Sequence, residues 1–228
     1  MKKKKVILVI VEGPSDQTAL APVFVNIFKS NQIEFRIVHG DLTTDPGTTQ
    51  QNAAKKLGSI VKGFRDLNHL KNKDFKKVIF ISDTDGVYCE PEAVIEKPGL
   101  EHIRYSKTSI CCSDREAILE RNEKKAAILN RISGLPYVLK DIPFEAYYMS
   151  CNLDHVTQNK LNLEDDEKSD YSFAFAEDYL ENPTDRYSVF AHTDIAVLGT
   201  QSETWEFIRQ GNRSLERHSN LINCLKDD

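Results

Sequence analysis

A chain of 228 residues with 40% hydrophobic composition can bury the core of one large domain, and no apolar run approaches the roughly 20 residues of a membrane-spanning helix. Its five cysteines, an odd number without a C-x-x-C pair, suggest neither a disulfide framework nor a zinc knuckle, so a soluble cytoplasmic protein with reduced thiols is expected. The net charge of -5 disfavours a simple electrostatic nucleic-acid binder, but residues 1–110 hold 17 basic against 13 acidic side chains, net +4, and residues 111–228 hold 13 against 22, net -9, which assigns any basic surface to the N-terminal half.

Lys2 to Lys5 precede six aliphatic residues, too few for a secretory leader, and read as solvated gatekeepers of a buried strand. That run, Val6 to Val11, predicts a central strand covered on both faces. Pro14 at a first turn and Leu20, Val23, Phe24, Ile27 and Phe28 at spacings of three and four predict the helix that follows. Phe35 to Val38 reads as a second strand. Turn-forming residues around Asp41 follow it, and then comes a helix through Ala53, Leu57, Ile60, Val61, Phe64 and Leu67.

Val78 to Ile81 predicts a third strand and Ile103 to Tyr105 a fourth. Ser113-Asp114-Arg115-Glu116 has the form of a capping box opening a helix to about Ser133. Alternating strands and helices imply an α/β fold, a mostly parallel sheet flanked by helices. Past Pro136 the pattern loosens: "IPFEAYYM" reads as a helix start, "LNLEDDEKSDYS" as an acidic loop, and Trp205 to Ile208 and Leu215 to Leu225 as terminal helices. The expected division is a core of residues 1–135 and a mainly helical extension of residues 136–228 that contributes to the site and to partner contacts, or a single continuous domain.

In open parallel sheets, functional groups gather outside the carboxyl ends of the strands. Glu12-Gly13 follows the first strand and Asp83-Thr84-Asp85-Gly86 the third, so if the strands are neighbours, three carboxylates meet in one crevice. Carboxylates so confined raise one another's pKa unless a cation is present, and hard oxygen donors suit Mg²⁺ or Mn²⁺.

The two motifs, "VILVIVEGPSD" and "VIFISDTDG", resemble the signatures of the Toprim domain, the Rossmann-like metal-dependent fold of topoisomerases, primases and several nucleases. More narrowly, Glu12-Gly13-Pro14-Ser15-Asp16 resembles the extended first motif of overcoming-lysogenization-defect (OLD) nucleases and of small Toprim proteins that accompany ATPases in bacterial anti-phage defence. The resemblance implies a nuclease hydrolysing DNA or RNA with two Mg²⁺ or Mn²⁺ ions. Glu12, Asp83 and Asp85 would hold the main ion, and Asp16 and Glu145 the second. Glu12 would serve alternatively as general base, and Gly13 and Gly86 would let the backbone turn beside phosphate. Lys140 and Lys160 are the candidates for the family's late lysine. No P-loop is present, so an ABC- or AAA-type ATPase would be a separate chain, and a homodimer is a further implied partner.

Other readings stand beside these. Glu12 and Asp16 are also ordinary acids at a helix N-terminus, Glu145 is an ordinary acid near an element start, and Asp41 suits a turn. None of the six histidines has a partner at metal-ligand spacing. A catalytically silent Toprim-type subunit that binds or regulates an ATPase is the alternative function. Topoisomerase and primase chemistry would need further domains for which the chain lacks room.

Overall fold

Six consecutive aliphatic residues leave no polar face to turn to water, and Val6–Val11 accordingly forms strand β1 with all six side chains buried. Each buried aliphatic contributes about 1.5–3 kcal/mol, which makes β1 the natural centre of a two-sided sheet. The computed structural model describes residues 4–29, 31–37, 42–183 and 189–225. After β1 come α1 (Pro14–Ile27), β2 (Gln32–Ile37), α2 (Ala53–Leu67), β3 (Phe75–Asp83), β4 (Val94–Glu96), β5 (Arg104–Tyr105), β6 (Ile110–Cys112) and α3 (Arg115–Ser133). The chain continues through β7 (Tyr137–Val138), β8 (Ile142–Ser150), α4 (Leu153–Gln158), α5 (Asp165–Glu181), α6 (Gln201–Ile208), β9 (His218–Ser219) and α7 (Ile222–Leu225).

The main sheet has the order β2-β1-β3-β8-β7, with β9 added to β8. Pairings among β2, β1, β3 and β8 are parallel, and β7 and β9 run antiparallel to β8. This is an α/β fold with a mostly parallel, mixed sheet. A second sheet, β4-β6-β5, is small.

Strand alternation sorts the core into two layers. Val6, Leu8 and Ile10 join Leu57 and Val61 of α2, Ile128 and Ile132 of α3, and Trp205 of α6 on one face. Ile7, Val9 and Val11 join Leu20 and Phe24 of α1, Val156 of α4, and Phe175 and Tyr179 of α5 on the other. Among the described residues no helix is long and apolar enough to cross a membrane.

Several expectations give way here. "IPFEAYYM" is β8, not a helix: Phe144, Ala146 and Tyr148 enter one core layer and Tyr147 and Met149 the other, so two-sided burial removes the polar alternation that marks a strand. β8 pairs with β3 inside the main sheet, so the sheet runs on past residue 135. The acidic "LEDDEKSD" stretch is not a loop: Asp165, Asp166 and Glu167 form the first turn of α5, where acids are favoured by the helix dipole. The cap of α3 is Asp114, which accepts the Ala117 N–H at 3.0 Å. Leu67, expected on the buried face of α2, is exposed, and residues 215–225 hold a short strand and a single helical turn instead of one helix. Asp41, Val38, Lys2 and Lys3 lie outside the described residues.

Candidate functional site

The register of β1 with β3 pairs Leu8 with Val78 and Ile10 with Phe80. Two residues further on, the Ser82 hydroxyl donates to Glu12 Oε1 at 2.6 Å, and Thr43, from the segment before α2, donates to the same oxygen at 3.1 Å. The other Glu12 oxygen lies 3.5 Å from the ammonium of Lys125. Glu12 is therefore held from three directions.

Lys125 rises from α3 with only 1% of its side chain exposed, and its ammonium also lies 2.6 Å from Asp85 Oδ2. Burial alone would raise the Asp85 pKa, but Lys125 and then Arg121 outweigh it, and the group ends below the usual carboxylate range. Burial disfavours the Lys125 cation, yet Asp85 and Glu12 keep it firmly protonated. Asp85 is further fixed through its backbone: its N–H donates to Cys151 O at 2.9 Å, and Arg121 donates to its carbonyl at 3.1 Å.

Asp83, two residues earlier, is held differently. Its Oδ1 accepts the N–H of Leu153, at the start of α4, at 3.0 Å. Burial, followed by repulsion from Asp16, Glu12 and Asp85, pushes its pKa well above the ordinary value. Asp16, in the first turn of α1, accepts the Gly13 N–H at 2.9 Å. Burial, with added repulsion from Glu12 and Asp154, raises it to about 7 in spite of that bond. Asp154 of α4, 7% exposed, is raised by burial to about 6.

These carboxylates open into a cleft of about 920 Å³ at the carboxyl ends of β1, β3 and β8, lined by Glu12, Asp16, Asp83, Asp85 and Asp154. The β5 end and the segment before α5 close one side, where Tyr105 and Asn162 exchange two hydrogen bonds of 2.7 and 2.9 Å. Arg104 and Lys168 also line the cleft, each paired with an acid of the same lining, Glu164 at 3.3 Å and Asp165 at 2.9 Å. Such a volume accommodates a nucleotide-sized group, and the hard oxygen donors with raised pKa values suit a small divalent cation or a proton store. Among the described residues no group of three or more His, Cys, Asp or Glu side chains stands at metal-holding spacing. An ion here would take few protein ligands and complete its shell with water, as magnesium ordinarily does.

Glu12, Asp16, Asp83 and Asp85 are thus brought together, whereas Glu145 is not. Glu145 pairs in register with Ile79 while Asp83 pairs with Met149, so it lies four strand residues back, about 13 Å from the edge. Its carboxylate is taken by Lys77 at 2.7 Å and by the Tyr147 hydroxyl at 3.0 Å. Gly13 lines the cleft, but its φ of -140° is open to any residue. Gly86 does need to be glycine: its φ is +67°, and a Cβ added there would stand only 2.4 Å from Leu215. Its role is a tight turn against the small sheet, away from the cleft lining. Neither Lys140 nor Lys160 lines the cleft, while Lys168 does.

Sequence reasoning passed over Lys125, Ser82, Thr43 and Asp154. Lys125 did leave a trace, since Ile118, Asn122, Lys125, Leu129 and Ile132 follow one another at spacings of four and three on the buried side of α3. The chain matches no protein-family model, no curated protein and no solved structure.

Proposed function

We propose that this chain is a divalent-metal-dependent nuclease of the Toprim type, hydrolysing phosphodiester bonds in DNA or RNA. The observation that carries the reading is the arrival of Glu12, Asp83 and Asp85, with Asp16, in one cleft at the ends of adjacent parallel strands. Asp83 and Asp16, whose pKa values are raised, cost folding stability, and a site that does so is a candidate for chemistry. One or two of Glu12, Asp16 and Asp83 would hold Mg²⁺ or Mn²⁺, with water completing the shell. The bound ion would supply Lewis-acid polarisation of a phosphoryl oxygen and a lowered pKa for attacking water.

The chain's own groups do the rest. Ser82 and Thr43 fix the orientation of Glu12, and the Leu153 N–H orients Asp83. Within this reading the protein is the nuclease half of an anti-phage defence system, with ATP hydrolysis on a separate chain. The test is incubation with plasmid DNA and with total RNA in Mg²⁺ or Mn²⁺, alongside Asp83→Asn. Cleavage by the wild type that the variant loses at least a hundredfold supports the reading, and cleavage unchanged in Asp83→Asn rules it out.

A second reading, a catalytically silent subunit that binds or regulates an ATPase, is favoured by the Lys125 ammonium, which already neutralises charge between Glu12 and Asp85. Absence of cleavage on either nucleic acid, together with no effect of Mn²⁺ on stability, selects it.

A further inference from the structure

We propose that the centre takes a single divalent cation, and that the ammonium of Lys125 permanently fills the place between Glu12 and Asp85 where a second would sit. The inference rests on the metal-dependent reading above and sets its ion count. The geometry divides the carboxylates into two groups. On the α3 side, Lys125 lies 2.6 Å from Asp85 and 3.5 Å from Glu12, and Arg121 reaches the Asp85 carbonyl at 3.1 Å. On the α1 and α4 side, the carboxylates are held by neutral backbone donors. Asp16 accepts from the Gly13 N–H and Asp83 from the Leu153 N–H.

The charged donor therefore sits with Asp85 and Glu12, and the backbone donors sit with Asp16 and Asp83. A buried ammonium is tolerated only while its opposing carboxylates stay in place, and Lys125, 1% exposed on a helix that packs into the main core layer, would have to break both of its ion pairs to admit an ion. Lys125 is on this view a positioning residue: it holds Glu12 and Asp85 in the orientation that a second metal would otherwise impose.

The experiment counts bound Mn²⁺ by electron paramagnetic resonance of the free ion during titration of the full chain, with thermal unfolding recorded in parallel. Wild type is expected to bind one Mn²⁺. Lys125→Met, which keeps the stem and removes the charge, is expected to bind two and to gain roughly 5 °C more in Tm from a hundredfold excess of Mn²⁺ over its dissociation constant than wild type does. Lys125→Gln should behave in the same way. Two ions in wild type, or one ion in a folded Lys125→Met or Lys125→Gln, overturns the inference while leaving the metal-dependent reading intact. No binding by wild type or variant removes both. The wild-type count decides the matter even where the variants fold poorly.

Discussion

The hydroxyl of Ser82 donates to the carboxylate of Glu12 at 2.6 Å, joining the ends of β3 and β1 across the mouth of the cleft. Ser82 is itself buried, at 1% exposure, so the donor is fixed in place and can orient a reactive group. Ser82→Ala should lower cleavage about 10- to 100-fold, the usual cost of losing a group that orients a ligand. The same change should alter unfolding stability by only about 0.5–1.5 kcal/mol. Steady-state cleavage rates and urea denaturation of the same preparation check the split, and a fall in stability without a fall in activity would show that Glu12 needs no such orientation.

Asp16 gives a pH dependence of stability with a definite sign. Its folded pKa of about 7 stands above the ordinary value of 3.8, so the folded state holds a proton that the unfolded chain has lost. The stabilisation is fully present below about pH 4 and is lost as pH rises toward 7. Asp16→Asn carries no such penalty. The variant should therefore match wild type at pH 4 and exceed it at pH 8 by about 1–3 kcal/mol, below the ceiling of about 4 kcal/mol set by three pKa units because the side chain is only partly buried. Urea unfolding of both proteins between pH 4 and 8 measures the gap. A constant difference across that range would mean that Asp16 titrates normally.

What could be read in the sequence was whatever had a local cause. The aliphatic run of β1, the apolar spacing of α1 and α2, and the placing of Glu12, Asp16, Asp83 and Asp85 at element ends all follow from neighbours within a few residues. Lys125 does not: a lysine in a helix is ordinarily solvated, and only the fold reveals that its helix face meets two carboxylates 113 and 40 residues away in the chain. β8 escaped notice for a related reason, since burial on both faces erased the alternation, and Glu145 near its start imitated a first-turn helix acid. The acids of α5 had the converse effect: a dense acidic run looks solvated and unstructured, although at a helix N-terminus it is stabilising.

The position of Glu145 separates a structural role from a chemical one. Its carboxylate is 2.7 Å from Lys77, whose side chain is 7% exposed, and it accepts from Tyr147. Glu145→Ala should cost about 1–3 kcal/mol of stability by weakening the surroundings of a nearly buried ammonium, and should leave cleavage and Mn²⁺ stoichiometry unchanged. Chemical denaturation and a metal titration make the comparison. Loss of a bound ion in the alanine variant would restore Glu145 to the ligand set and require the strand to shift.

Gly86 closes the second acidic motif, and its geometry makes a prediction about Asp85. The backbone there has φ +67°, and a methyl group would approach Leu215 Cδ2 to 2.4 Å and Ile110 Cδ1 to 3.1 Å. A left-handed conformation costs a non-glycine residue about 1 kcal/mol, and overpacking against a fully buried leucine adds about 1–3 kcal/mol. Gly86→Ala should thus lose about 2–4 kcal/mol in urea unfolding. Relief of the clash has to come from Leu215 or from the turn itself, and a shifted turn would carry the adjacent Asp85 away from Lys125. The variant should for that reason also lose cleavage activity beyond what its folded fraction explains, even though no atom of Gly86 lines the cleft. Activity that tracks the folded fraction alone would show that Leu215 gives way and that the turn holds Asp85 in place.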